Sequence, residues 1–433
     1  MRIEPPRVEL TPVAAVGTVL AEDRPAPLVV DHARRRSARL HPWLRVGLMV
    51  ATVVLAAGVS RDASDRGLDA PDRLAAVRPV SLNPAEASPF FAQSWVADLG
   101  HTPSAHSSTI CLLPGGDLFS VWFGGSREGA NDVALYSSRR SPGQAWSKPE
   151  KVVDRALAQS ELDRRIKKVG NAVVFPDRNG MLWMIYVTVS VGGWSGSALN
   201  IKSSPDEGRT WSESQRLTVN PFLNLSSLVR HKPIYARDGR IGVPIYHEMA
   251  VKFPQMLWLT PGPNGTVADY RVRSLGADFD LIQPTLVPLK EDRVLMLLRD
   301  GSAERKLRKS YSHDNGWTWS ETEAGELPNP DSAVDALQLR DGRILLAYNH
   351  AVDGRENLRL AISSDEARTW LKGPIIEAAR QKEYSYPHLV EDAGGRIHLT
   401  YTWQRERIRH VEFNVAWLDA QVSRLTGAMA SFP

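Results

Sequence analysis

Six polar or tyrosine side chains stand near the openings of six apolar runs: His106, Asn171, His231, Gln283, Asp335 and Tyr384. A second set stands where neighbouring runs end: Arg127, Glu128 and Asp132, then Trp194, His247 and Glu248, then Arg299, Arg355 and Arg405. Groups able to bond or titrate, recurring where a core would place aliphatic side chains, mark a site. Arg299, Arg355 and Arg127 come from separate stretches, and several guanidinium forks can hold a carboxylate through paired charge-assisted bonds. Such a clamp selects an anionic ligand. Tyr384, at the start of Tyr-Ser-Tyr-Pro-His-Leu, fits either a nucleophile or a tyrosine at the edge of a core. A lyase would instead use Tyr384 with His231 or His247 as base and acid.

The elements that position these groups repeat along the chain. Six times an apolar strand meets a tight turn and a second apolar strand follows, the later strands being Leu118 to Phe123, Leu182 to Val187, Ile241 to Tyr246, Val294 to Leu298, Ile344 to Tyr348 and Ile397 to Tyr401. The turns recur every 50 to 65 residues or so, the length of a four-stranded antiparallel unit. Ser312 to Trp319 has the pattern Ser-x-Asp-x-Gly-x-Thr-Trp, and Ser204 to Trp211 repeats it. Ser363 to Trp370 carries Ala367 in place of the glycine, and Ser138 to Trp146 is a degenerate copy. Asp and Asn can bond their own backbone there, the glycine supplies positive φ, and the Trp packs. These boxes are outer hairpins that carry no chemistry. The expected fold is all-β, a six-bladed β-propeller over residues 90–433, with the polar strand openings converging on its axis.

Composition sets the bounds. The 433 residues are 42% hydrophobic and 24% charged with a formal net charge of +4, which suits a globular chain with a large core. Cys111 is the single cysteine, so no intrachain disulfide or cysteine-rich metal site can form, and its apolar run makes it a buried small hydrophobe. Basic residues are interleaved with acids beyond the N-terminal arm, which excludes a nucleic-acid surface. No cofactor is expected; calcium is compatible with such propellers but is not predicted. Residues 1–42, rich in proline and arginine, form a disordered basic cytoplasmic arm. Residues 43–60 form a single transmembrane anchor helix or signal segment, and 61–89 form a linker or tether. By the positive-inside rule the propeller lies outside the cytoplasmic (inner) membrane, secreted if the anchor is cleaved.

Phe-Gly-Gly-Ser-Arg-Glu-Gly-Ala-Asn-Asp, Leu-Leu-Arg-Asp, Gly-Arg-Glu-Asn-Leu and Glu-Tyr-Ser-Tyr-Pro, together with the boxes, resemble the sialidase (exo-α-neuraminidase) superfamily, in its bacterial BNR-repeat branch. The resemblance covers residues 95 to 420 or so and implies a retaining exo-glycosidase acting on a terminal 2-keto acid sugar. It implies Tyr384 as nucleophile, Asp132 as acid/base with Glu128 in reserve, and Arg299 and Arg355 on the substrate carboxylate. Two positions depart from the pattern. His106 stands where a first arginine belongs, with Arg127 as its replacement, and Gln283 stands where the nucleophile's glutamate belongs, with Glu248 or Asp335 as its replacement. His231, Asn171, Trp194 and Asp335 complete the expected substrate contacts. The departures leave two alternatives open: a Kdo hydrolase acting on lipopolysaccharide, and a non-catalytic carbohydrate-binding propeller. The expected partner is an anionic glycan or lipid-linked sugar, with the membrane reached through the anchor.

Overall fold

A computed structural model describes residues 70–71, 73–74, 88–98, 100–220, 224–249, 251–276 and 280–430, the last five without side chains. These residues all belong to one compact unit, Thr52–Pro433. Its strands form six antiparallel sheets, each built around a meander of consecutive strands. After β1 (Phe91–Ala97), the first complete blade is β2 (Ser104–Leu112), β3 (Leu118–Gly125), β4 (Ala134–Arg140) and β5 (Glu150–Val153). Helix α1 (Arg155–Glu161), capped by the Asp154 carboxylate on the Leu157 amide, leads to the second: β6 (Lys168–Pro176), β7 (Leu182–Val189), β8 (Ser197–Ser204) and β9 (Gln215–Arg216). In the third, β10 (Ser227–Val229) and β11 (Ile234–Tyr235) both pair with β12 (Ile241–Glu248), followed by β13 (Lys252–Pro261) and β14 (Val267–Ser274). The fourth is β15 (Leu281–Pro288), β16 (Val294–Asp300), β17 (Lys306–Ser312) and β18 (Glu323–Pro328). The fifth is β19 (Asp335–Gln338), β20 (Ile344–Tyr348), β21 (Asn357–Ser363) and β22 (Leu371–Ala378).

The sixth blade joins the two ends of the ring. β23 (Tyr384–Glu391), β24 (Ile397–Trp403) and β25 (Arg407–Phe413) are completed by β1, which pairs with β25 from Phe91 opposite Phe413. Asn414 locks the seam, its Oδ1 accepting from the Phe90 amide at 3.0 Å and its Nδ2 donating to Ser88 O at 2.8 Å. Helix α2 (Val415–Ala430) follows and buries Leu418 against the fifth and sixth blades.

Alternating side chains put one face of each sheet against the next sheet, so the core is divided into six clusters, one per blade interface. Cys111 is buried in one of them, and burial pushes its thiol up, as a packing role requires. All six expected turns connect first and second strands of a blade. The boxes follow the third strands: Ser312 Oγ accepts from Gly316 N at 2.8 Å while Asp314 accepts from Thr318 N at 2.7 Å. Trp211 and Trp319 are half-buried and Trp370 is 9% exposed, each packed on an interface cluster.

Two N-terminal expectations change. The segment expected as a tether is docked at its described part: Leu74 is buried, bridges Ala236, and its amide donates to the box residue Asn315 at 3.1 Å. An apolar side chain with a seat on the ring outweighs the entropy of a free linker. Among the described residues no helix is long and apolar enough to cross a membrane. The expected anchor over 43–60 and the basic arm over 1–42 lie outside the described residues, and placement at the cytoplasmic membrane loses its support.

Box aspartates Asp206 and Asp365 accept two or more hydrogen bonds each, which hold their carboxyls down to about 2 from the usual 3.8. A depressed folded value stabilises the ring above the unfolded value and is lost as pH falls through the folded one. Denaturation midpoints should therefore fall between about pH 4 and pH 2, and Asp206→Asn with Asp365→Asn should flatten that dependence.

Candidate functional site

Four of the six innermost strands break their pleat near the start. Register shifts fall between His106 and Thr109 in β2, Gly170 and Ala172 in β6, Ile282 and Thr285 in β15, and Ser385 and His388 in β23. The bulged residues Ser107, Asn171, Gln283 and Tyr386 have φ of 55°, 24°, 53° and 56°. In the third blade Arg230 to Pro233 interrupt the inner edge between β10 and β11. A left-handed residue at a bulge takes its side chain out of the strand's alternation and aims it elsewhere. For Gln283 and Tyr386 the new direction is toward the same group of cations.

Tyr386 occupies the centre. Its ring lies 4.5 Å from the His106 ring, and the guanidinium carbons of Arg230 and Arg355 lie 5.2 and 5.7 Å from its centroid. Arg299 Nη1 donates to Gln283 Oε1 at 3.1 Å, and Gln283 Nε2 donates to the Tyr246 hydroxyl at 3.2 Å. Gln283 also acts on the Tyr386 hydroxyl, favouring its ionised form. Burial opposes ionisation of Tyr386, but Arg299, Arg355 and Gln283 outweigh it and hold the phenol below its usual value.

Around this centre runs an alternating chain of charges. Arg299 Nε binds Asp331 Oδ1 at 2.6 Å, and Arg355 Nη2 donates to the Asp331 carbonyl at 2.8 Å. Glu383 joins two arginines, Arg355 at 3.3 Å and Arg405 at 2.6 Å, and Arg405 reaches on to Glu128. Gln404 and Arg405, with φ of 56° and 59°, form the tight turn between β24 and β25. That conformation costs L-residues about 1 to 2 kcal/mol each. Bonds from Ala105 N and Ser104 Oγ of β2 to Arg405 O, at 3.1 and 2.9 Å, hold it.

The structure brings together Arg299, Arg355, Arg405, Gln283, His106 and Glu128 of the expected set. His106 is 2% exposed and stays neutral, because burial, then Arg405, Arg355 and Arg230, hold its imidazole down. Tyr384 is not among them. It is buried in the core between the fifth and sixth blades, edge-on to Trp403 at 6.5 Å, and its phenol is pushed up by burial and by Glu377. The bulge between Ser385 and His388 puts Tyr386 at the centre in its place. Arg127 is exposed on the loop after β3, where its charge acts on Asp132, and Arg405 is the guanidinium that stands beside His106.

Asp132 is exposed on the same loop and accepts from Ser126 N and Oγ, both at 2.9 Å; these bonds hold its carboxyl below the usual value. Glu248 is half-buried near Arg299 and Lys252, and burial raises it. Trp194 packs on the Gly170 backbone beside Asn171, with Lys168 Nζ 3.8 Å from its ring centroid. His231 and Asp335, both 0% exposed, are walled off from any substrate. Asp335 is filled by Lys232 Nζ at 2.6 and 2.7 Å, Thr285 Oγ1 at 2.7 Å and Leu389 N at 2.7 Å, with His231 Nδ1 at 3.4 Å. This network ties four blades together at the axis and replaces the expected substrate contact. Among the described residues no three His, Cys, Asp or Glu side chains stand close enough to share a metal ion.

Residues 116–399 match the family model described as a BNR repeat-like domain, and the chain belongs to that family. No curated protein matches significantly. Solved structures do. A Hadza microbial sialidase, Hz136, is 16% identical with a TM-score of 0.63, over 75% of this chain and 69% of that one. A protein of unknown function from Dyadobacter fermentans is 14% identical, TM-score 0.58, over 74% and 99%. The NanB sialidase from Streptococcus pneumoniae is 11% identical, TM-score 0.57, over 74% and 70%. At these identities the likeness is one of fold.

Removing the axial carboxylate should expose how much it holds. Asp335→Ala leaves Lys232 without its partner, and unfolding by urea should show a loss of about 3 to 5 kcal/mol.

Proposed function

We propose that the protein is a retaining exo-glycosidase of the sialidase type, releasing a terminal 2-keto acid sugar, a sialic acid or a relative such as Kdo, from a glycoconjugate. One observation carries the reading: a phenol pulled toward ionisation stands among Arg299 and Arg355, and Glu383 links Arg355 to Arg405. The guanidinium groups would orient the substrate carboxylate and set its anomeric carbon against Tyr386. A tyrosine nucleophile is a known exception to the two-carboxylate scheme of glycosidases, and family membership and the likeness to sialidases support the assignment. Attack by the Tyr386 oxygen breaks the glycosidic C–O bond, and the leaving oxygen takes a proton from the Asp132 carboxyl. Water then displaces the sugar from Tyr386 and returns its proton to Asp132.

Gln283, where a glutamate would complete the familiar pair, favours one rival, a carbohydrate-binding propeller without turnover. The purified protein offered sialyl-lactose and, separately, a Kdo-terminated oligosaccharide should release one free sugar; intact binding with neither released would replace the enzyme by the binding protein.

Tyr386→Phe should abolish turnover and keep binding, whereas Tyr384→Phe should leave turnover in place. Arg299→Ala should weaken binding by about 2 to 5 kcal/mol, measured by calorimetry. Equal losses of binding in Tyr386→Phe and Arg299→Ala would also support the binding protein.

The depressed Asp132 carboxyl gives a pH signature. An acid acts when protonated, so hydrolysis of glycosides with poor leaving groups, measured relative to activated aryl glycosides, should rise as pH falls toward the carboxylate range. Activated aryl glycosides, which need no proton, should lack that rise, and Asp132→Asn should remove it in steady-state assays.

A further inference from the structure

The Gln283 amide has only one orientation that satisfies its neighbours. Arginine has donors alone, so the Arg299 Nη1 contact at 3.1 Å requires the amide oxygen on that side. The amide NH2 must then face the two phenols, and its 3.2 Å bond to Tyr246 fits that. A carboxylate at this place would accept the Tyr386 proton. An NH2 cannot; it can only donate, and a donor aimed at a phenol oxygen favours the oxyanion.

Each element packed against Tyr386 adds to the balance. β2 presents His106, which burial keeps neutral. Arg230 comes from the segment between β10 and β11, donating through Nη2 to Tyr386 O at 2.7 Å and Pro387 O at 3.0 Å. β12 presents Tyr246, whose own phenol burial pushes up, so it does not compete for the charge. β16 presents Arg299 and the loop after β20 presents Arg355; the loop after β3 contributes Glu128, the carboxylate that opposes ionisation and that is engaged by Arg405. Three guanidinium groups and an amide donor therefore outweigh one tied carboxylate.

We infer that Tyr386 enters the reaction already ionised, its oxyanion held by the Gln283 amide and the surrounding guanidinium groups, with no protein carboxylate taking its proton. The inference rests on the glycosidase reading for its use, and its physical content can be measured without substrate. The proton leaves to solvent before the sugar binds. The phenolate electron pair then forms the C–O bond to the anomeric carbon, and hydrolysis of the tyrosyl sugar restores the same phenolate. Gln283 is thus a positioning residue for the nucleophile.

The test is a pH titration of the near-ultraviolet tyrosinate band in the intact protein, with near-ultraviolet circular dichroism confirming the fold at each pH. The wild type should show one tyrosine ionising below the ordinary tyrosine range, and that step should vanish in Tyr386→Phe. Gln283→Glu should move the step upward, because a second anion opposes the phenolate, and Gln283→Leu should move it upward by removing the donor. The acid limb of kcat/KM should shift with it. A wild-type and Tyr386→Phe difference confined to the ordinary tyrosine range would overturn the inference, as would a Gln283→Glu step that stays or moves down. The phenolate step without sugar release would instead count against the glycosidase reading and leave the ionised tyrosine standing.

Discussion

Strands that converge on a propeller axis cannot keep a regular pleat and also deliver chemistry there, and the bulge resolves that conflict. Each left-handed bulged residue costs about 1 to 3 kcal/mol, a strain tolerated only where surrounding packing over-determines the backbone. The six inter-blade cores supply that packing. Gln283 and Tyr386 then leave the alternation of β15 and β23 and meet at a point that no straight strand could reach.

What they meet is held in advance. Arg299, Arg355 and Arg405 each give part of their fork to Asp331 or Glu383, and each keeps further donors. Anchoring one edge of a guanidinium fixes the direction of the other, so its remaining donors are already oriented and little rotamer entropy remains to be lost. On the same axis, the buried pairing of Lys232 with Asp335, whose charge also acts on Arg230, keeps positive charge there from going uncompensated.

The fold was legible because its signals are local. Turn residues sit at every first hairpin, and the Ser-x-Asp boxes state their own hydrogen bonds in their spelling. The inner-strand openings were legible as a class, and Gln283, His106, Arg299 and Arg355 do gather. Tyr384 shows the limit. Residues two apart in a strand share a face, so Tyr384 and Tyr386 look interchangeable until a bulge separates them, and no residue in Tyr-Ser-Tyr-Pro announces it. Arg405 was legible as a strand-end candidate, but its place beside His106 was not, for a related reason: a tight turn of two non-glycine residues, held by β2, lies outside ordinary turn chemistry. Asp335 and His231 misled because a polar residue near an axis can serve the ring as easily as a ligand.

The seam of the ring gives the site an order of assembly. Asn414 is 324 positions from Phe90 and 326 from Ser88, so these pairings are highly non-local and close a loop that spans all the other blades. Tyr386, Glu383 and Arg405 lie in or beside the blade that this pairing completes, while His106 and Glu128 lie across the seam in the first. During synthesis, five blades can form while the pocket still has only part of its wall and β1 has no partner. The pocket wall is therefore complete only once the seam closes, and a chain that stalls before β25 presents an open strand edge to its neighbours.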